Sequence, residues 1–380
     1  MKVAGWANKL KKNYLFQAIA DKTQNFLRSH KDVKLKNMGI GDVTLPLPEV
    51  IVNACIKASK EMGAVETFRG YSPNGGWDFL KCAIHNDYLS KGIYIDLDEI
   101  FVSDGAKSDM SNILDLFSSD NICLIPDPVY PVYLDTCIMH DMHVEFVNAT
   151  EENDFLPLPD SSINADIIYI CSPNNPTGAS YSKEQMKLWV DYANSCDAII
   201  LYDAAYEAFI RDSNLCKSIF EIDGSEYCSI EFKSFSKSAG FTGMRCGYSV
   251  VPKKLVRNNY SLNSLWARRH STKFNGVPYI IQRAAEASLS DEGKCECQKL
   301  INQYKKNASN IMEILSQKSI KFFGGENSPY VWMKCPNNMN SWDYFDKLLE
   351  DYNIVSTPGS GFGKNGEGFL RLSAFYNINN

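Results

Sequence analysis

The sequence has no CxxC pair; its 12 cysteines are scattered, and only Cys295 and Cys297 lie close together, with no histidine beside them. A metal site of the usual ligand spacing is therefore not expected. A basic excess is also missing. The formal net charge is −6 and no basic stripe stands out, which argues against a nucleic-acid footprint. No apolar run approaches the ~20 residues needed to span a bilayer. The opening stretch "MKVAGWANKLKKNYLFQAIADK" carries lysines but no continuous apolar core, so a secretory signal is not expected there. Without an export signal, the cysteines read as reduced thiols of a cytoplasmic protein. There is no internal repeat and no low-complexity segment.

What is present is an ordinary globular composition, 44% hydrophobic and 22% charged, over 380 residues. That length suits two domains, or one large domain with an attached lobe. Apolar runs alternate with helical periodicity through the middle. "EIFVSDG" (99–105) reads as a strand and "AKSDMSNILDLF" as a helix. "NICLIPDP" (121–128) is strand-like and "YPVYLDTCIMH" helical. "ADIIYICSP" (165–173) is followed by the helix "SKEQMKLWVDYANSC", with Ser182 as N-cap. "DAIILYDAAY", "YCSIEFKSFSK" and "CGYSVVP" complete the strands. This alternation predicts an α/β fold with a doubly wound, mainly parallel sheet, and it places ligands at the carboxyl ends of the strands. From about Lys273 the pattern changes to long-helix material, a hairpin at "KFFGGENSPYVWMKCP" and a helix at "SWDYFDKLLEDY", a separate α+β lobe.

Four polar segments fall at or just after the predicted strand ends or in that lobe. They are "SPNNPTGA" (172–179), "YDAAYEAF" (202–209), "SFSKSAGFTGMR" (234–245) and "GFLRLSAF" (368–375). Singly each has a plain explanation: a turn, a helix cap, a solvated lysine, a surface ion pair. In this order and spacing they resemble the fold-type I pyridoxal-phosphate aminotransferases of classes I and II, over nearly the whole chain. The resemblance implies a large cofactor-binding α/β domain over 41–272. A small α+β domain would be built from both chain ends, 1–40 and 273–380.

It also implies roles. Lys237 would bind the cofactor covalently and act as general base, which requires a lowered pKa. Asp203 would pair with the ring nitrogen, and Tyr206 and Asn175 with the phenolic oxygen. Tyr130 would stack on the ring. Arg245, Ser234 and Ser236 would hold the phosphate, helped by backbone N–H groups of Ala106 and Lys107 in "DGAK". Arg371 would grip the substrate carboxylate in bidentate fashion.

A further set of stretches, "GIGDVTLPLPEVI", "RGYSPNGG", "TKFNGVP" and "TPGSGFG" among them, is similar to the LL-diaminopimelate aminotransferases. That resemblance implies amino transfer between LL-2,6-diaminopimelate and 2-oxoglutarate in a homodimer; towards synthesis, glutamate aminates tetrahydrodipicolinate on the way to lysine. Tyr14, Gly41, Tyr71, Asn74, Lys107, Asn175, Asn275 and Arg371 would contact substrate, Tyr71 and Asn275 from the partner subunit. The sequence departs from the family at Asn74, where a carboxylate is usual. Asn can accept a hydrogen bond from the distal ammonium without the charge-assisted contribution. The core residues alone would also serve an aminotransferase for lysine, aspartate or an aromatic amino acid, a lyase, or a non-catalytic scaffold.

Overall fold

The computed structural model describes residues 1–10, 15–160 and 162–376. Its centre is a seven-stranded sheet: β1 (Ile100–Ser103), β2 (Ile122–Asp127), β3 (His143–Asn148), β4 (Ile167–Cys171), β5 (Ile199–Asp203), β6 (Ser229–Ser234) and β7 (Gly247–Val250). The strand order is β1-β7-β6-β5-β4-β2-β3. Strands β4 and β5 are buried at every position, as "IIYIC" and "IILYD" demand when helices cover both faces. Pairing is parallel from β3 through β6, and only β7 runs against its neighbours. The mainly parallel α/β sheet expected from the sequence is therefore present. Its edge strand β3 was not foreseen, because its burial is patchy and "HVEFVN" lacks a continuous apolar run. Ser182 caps the helix Lys183–Ser195: its hydroxyl accepts from the Gln185 N–H at 3.2 Å, and Gln185 accepts in return from the Ser182 N–H at 3.0 Å.

A second, antiparallel sheet contains β8 (Phe322–Gly324), β9 (Tyr330–Lys334), β10 (Thr357–Pro358) and β11 (Phe369–Ser373), in the order β8-β9-β11-β10. The expected hairpin is β8–β9. Lys36–Asn37 pairs in parallel with Ile354–Val355, which ties the chain's first part to its last. The expected long helix is two, Tyr279–Leu289 and Asp291–Gln317, because Ser290 caps the second by accepting from the Gly293 N–H at 3.0 Å. Tyr330 and Phe375 share one apolar core with Ile125 and Leu201, so the second sheet packs against the carboxyl edge of the first. Among the described residues, no helix is long and apolar enough to cross a membrane, and no group of three His, Cys, Asp or Glu could hold a metal ion.

Candidate active site

The strand ends converge. Asp203 is the last residue of β5 and pairs with Cys171 at the end of β4, while Ser234 ends β6 opposite Gly247, which also faces Ser103. Strand β7 is reversed, so its first residue lies at this same edge and Arg245 just precedes it. A Cβ on Gly247 would come within 2.7 Å of the Lys233 carbonyl and 2.8 Å of Gly105 Cα, so only glycine lets these strands close up.

A cavity of 460 Å³ sits on this edge. Gly41, Ala106, Lys107, Tyr130, Asn175, Asp203, Tyr206, Ser234, Ser236, Lys237, Arg245 and Arg371 all line it, which gathers every residue expected to hold the cofactor. The substrate residues divide. Asn74 and Asn275 line a separate cavity of 190 Å³, where the Asn74 amide donates to the Ala267 carbonyl at 3.1 Å. Tyr71 is 81% exposed, so it does not pack in the core of its own chain. Tyr14 lies outside the described residues.

Lys237 Nζ donates to the Gly41 carbonyl. Burial pulls its pKa down to about 8, and the nearby Arg371 and Arg245 charges push the same way against Asp42. Asp203 is buried, which raises its pKa; the Tyr133 hydroxyl, donating at 2.6 Å, and the Ala205 N–H, donating at 3.0 Å, hold it partly down. Tyr133 was not singled out in the sequence, nor was Tyr330, whose hydroxyl lies 2.9 Å from that of Tyr206. Arg371, only 1% exposed, donates to Asn175 Oδ1 at 2.7 Å and to the Gly39 carbonyl at 2.8 Å. Its Nε has no hydrogen-bond partner and the guanidinium no carboxylate partner among the described residues. A buried guanidinium without a carboxylate partner is suited to receive an anion.

Arg245 donates to Ser236 Oγ at 3.4 Å and holds a left-handed backbone, φ 60°. Gly105, φ 129°, lies so close that a Cβ there would be 2.6 Å from Arg245 Nη2. This leaves a cradle between the Gly105–Lys107 turn and Arg245 that a side chain would fill. Lys107 adds a further cation, its pKa lowered by burial and by Arg245. The chemistry of the set fits pyridoxal phosphate: a depressed amine, a buried carboxylate, and hydroxyls with an arginine around a small open cradle.

The profile of the family described as aminotransferase class I and II matches residues 33–378. The LL-diaminopimelate aminotransferase of Prochlorococcus marinus is 49% identical, over 98% of this chain and 96% of its own length. That of Methanosphaera stadtmanae is 48% identical, over 100% and 96%. The solved L,L-diaminopimelate aminotransferase of Chlamydomonas reinhardtii superposes with a TM-score of 0.93 at 37% identity, covering 100% of this chain and 96% of that one. Enzymes of this family depend on pyridoxal phosphate. With its residues gathered at the strand ends and this likeness along its whole length, the chain belongs to the class I and II aminotransferases, in the LL-diaminopimelate aminotransferase family.

Proposed function

We propose that the chain catalyses amino transfer between LL-2,6-diaminopimelate and 2-oxoglutarate, and that towards synthesis glutamate aminates tetrahydrodipicolinate. The observation that carries the reading is the pairing in one cavity of a buried arginine with no carboxylate partner among the described residues, Arg371, with a lysine whose pKa is pulled to about 8, Lys237. One receives a carboxylate and the other takes a proton, as α-amino-acid chemistry requires. The near-full-length likeness to LL-diaminopimelate aminotransferases supports the choice of substrate.

Asp203 would hold the cofactor's ring nitrogen, Tyr206 and Asn175 its phenolic oxygen, Tyr130 its ring face, and Ser234, Ser236, Arg245 and the Ala106–Lys107 backbone its phosphate. When bound, the cofactor supplies a sink for the electron pair left by the α C–H bond. Arg371 fixes the α-carboxylate and so orients the α-hydrogen towards Lys237. Lys237 Nζ, neutral in an appreciable fraction near pH 7 because of its lowered pKa, accepts that proton. Tyr133, by donating to Asp203, opposes the rise in its pKa that burial causes.

We also propose that the enzyme is a cytoplasmic homodimer, in which Tyr71 and Asn275 reach the partner's cavity and Tyr14 and Asn74 complete the substrate contacts. The chain divides at 41–272 and at 1–40 with 273–380. The exposure of Tyr71, outside the cavity of its own chain, supports the dimer. The test is an amino-donor panel with 2-oxoglutarate. LL-diaminopimelate should have the highest kcat/KM among LL- and meso-diaminopimelate, lysine, aspartate and aromatic amino acids. A higher value for another donor overturns the substrate assignment.

A further inference from the structure

A second cavity, of 330 Å³, lies against the first. The two share Ala205 and Ser234, so the segments carrying Asp203 and Lys237 form a common wall. Lys91, Lys217, Lys233, Lys294 and Lys305 line this second cavity, against the carboxylates of Asp87 and Glu207. Both carboxylates are engaged. Asp87 pairs with Lys91 at 2.9 Å and Lys294 at 2.7 Å, and Glu207 lies 3.6 Å from Lys233. Lys233 also donates to the Lys217 carbonyl at 3.3 Å.

Two cations remain. Among the described residues, neither Lys217 Nζ nor Lys305 Nζ makes a hydrogen bond or an ion pair, although the Lys217 charge lies near enough to Glu207 to help lower that carboxylate's pKa. Lys305 is 8% exposed, and burial lowers its pKa, as do the nearby Arg211 and Lys217 charges. An ammonium that reaches the cavity with neither counter-ion nor acceptor in contact is one that an entering anion would pair with. None of the described lining residues is an arginine. Lysines bind phosphate as compact point charges, and the two positive charges of Lys217 and Lys305 match the two negative charges of a phosphate monoester dianion. Phe235, Leu289 and Ile301 give the cavity an apolar side for an organic body. Its volume falls at the lower end of small-molecule sites, about 300–1,000 Å³.

We propose that this cavity is a second ligand site, which takes a small phosphate monoester as its dianion and holds it with Lys305 and Lys217. It is distinct from the cofactor's phosphate cradle at Gly105 and Arg245, on the other side of the common wall. Occupancy would bear on the backbone beside Asp203 and Lys237.

The test is calorimetric titration of the cofactor-loaded enzyme with glycerol 3-phosphate. The readout is heat of binding, independent of turnover, so it stands apart from the substrate assignment. Wild type should bind one equivalent per chain, more weakly as salt rises. Lys305→Met and Lys217→Met should each weaken binding about tenfold, and Lys305→Arg should restore most of it. Lys305→Met should also raise the thermal midpoint without ligand and lose the rise that glycerol 3-phosphate gives wild type. Should Lys305→Met lose its cofactor absorbance and fold, the half-buried Lys217 position decides alone. Absence of binding, equal affinity in the folded methionine variants, or titration abolished by saturating glutamate would each overturn the proposal, the last by placing the probe in the catalytic cavity.

Discussion

Replacing Lys237 with Met should stabilise the cofactor-free protein, although it removes the residue proposed to carry turnover. An ordinary lysine titrates at 10.5, and in the fold Lys237 is brought to about 8. Burial is the main cause, Arg371 and Arg245 add to it, and Asp42 opposes. Each pH unit of that gap is about 1.4 kcal/mol, so the charged lysine costs the fold about 3 kcal/mol. Because the folded value lies below the unfolded one, the unfolded chain binds a proton that the native chain lacks between about pH 8 and pH 10.5. Stability contributed at this position therefore rises with pH through that window. Methionine has no charge to bury. The cofactor-free Lys237→Met protein should be more stable by about 3 kcal/mol below pH 8, with the advantage gone near pH 10.5. For a chain of this size that is a rise of about 4 °C in thermal midpoint. Scanning fluorimetry of both proteins at pH 7 and pH 10 measures it. A wild type as stable as the variant at pH 7 would refute the view that the site holds Lys237 as a destabilised, activated cation.

Tyr133→Phe removes the 2.6 Å bond to Asp203. Hydrogen bonds to charged groups contribute about 1.5–3 kcal/mol, so kcat/KM should fall about tenfold or more. Because burial raises the Asp203 pKa and Tyr133 opposes it, the acid limb of the pH profile should move to higher pH, and a superimposable profile would count against the role. Arg371→Lys keeps the charge but loses the planar fork that bonds Asn175 and Gly39. Steady-state kinetics should show an increase of about a hundredfold in KM for the amino donor, with a smaller change in kcat. Gly105→Ala forces a left-handed backbone and a contact with Arg245 Nη2. A strain of about 1–3 kcal/mol should weaken cofactor binding about tenfold, read by absorbance titration, and an unchanged Kd would contradict the cradle.

That the residues expected to hold the cofactor gather at one edge was legible in the sequence, because they stand at the ends of apolar strands, where a parallel α/β sheet brings its ligands. Lys237, Arg245, Asp203 and Asn175 each fall within ten residues of such an end, and turn-forming neighbours mark them. Tyr133 and Tyr330 were not legible. Tyr133 lies in the mainly apolar helix Val132–Met139, beside the rings of Tyr130 and Tyr169, and its partner Asp203 is 70 positions away. Tyr330 lies in a hairpin of the second sheet and meets Tyr206 only because that sheet packs on the strand edge. Such pairings are made by tertiary packing and leave no local spacing to read. The break at Ser290 is different: serine followed by two acids and a glycine is a helix-start signal, masked by strong helical periodicity on both sides. Strand β3 sits at the sheet edge, where half-exposed positions need no apolar run. For Asn74 the structure supplies a local use, the amide donor to the Ala267 carbonyl, which a carboxylate could not provide.

The role proposed for Lys237 is to carry amino transfer from LL-diaminopimelate. It is tested most directly by following glutamate formation from LL-diaminopimelate and 2-oxoglutarate with cofactor-saturated wild type and Lys237→Ala side by side. Wild type should produce glutamate at an ordinary enzymatic rate, and Lys237→Ala should have lost turnover while still retaining the cofactor loosely. Glutamate formation by Lys237→Ala at close to the wild-type rate would contradict the account.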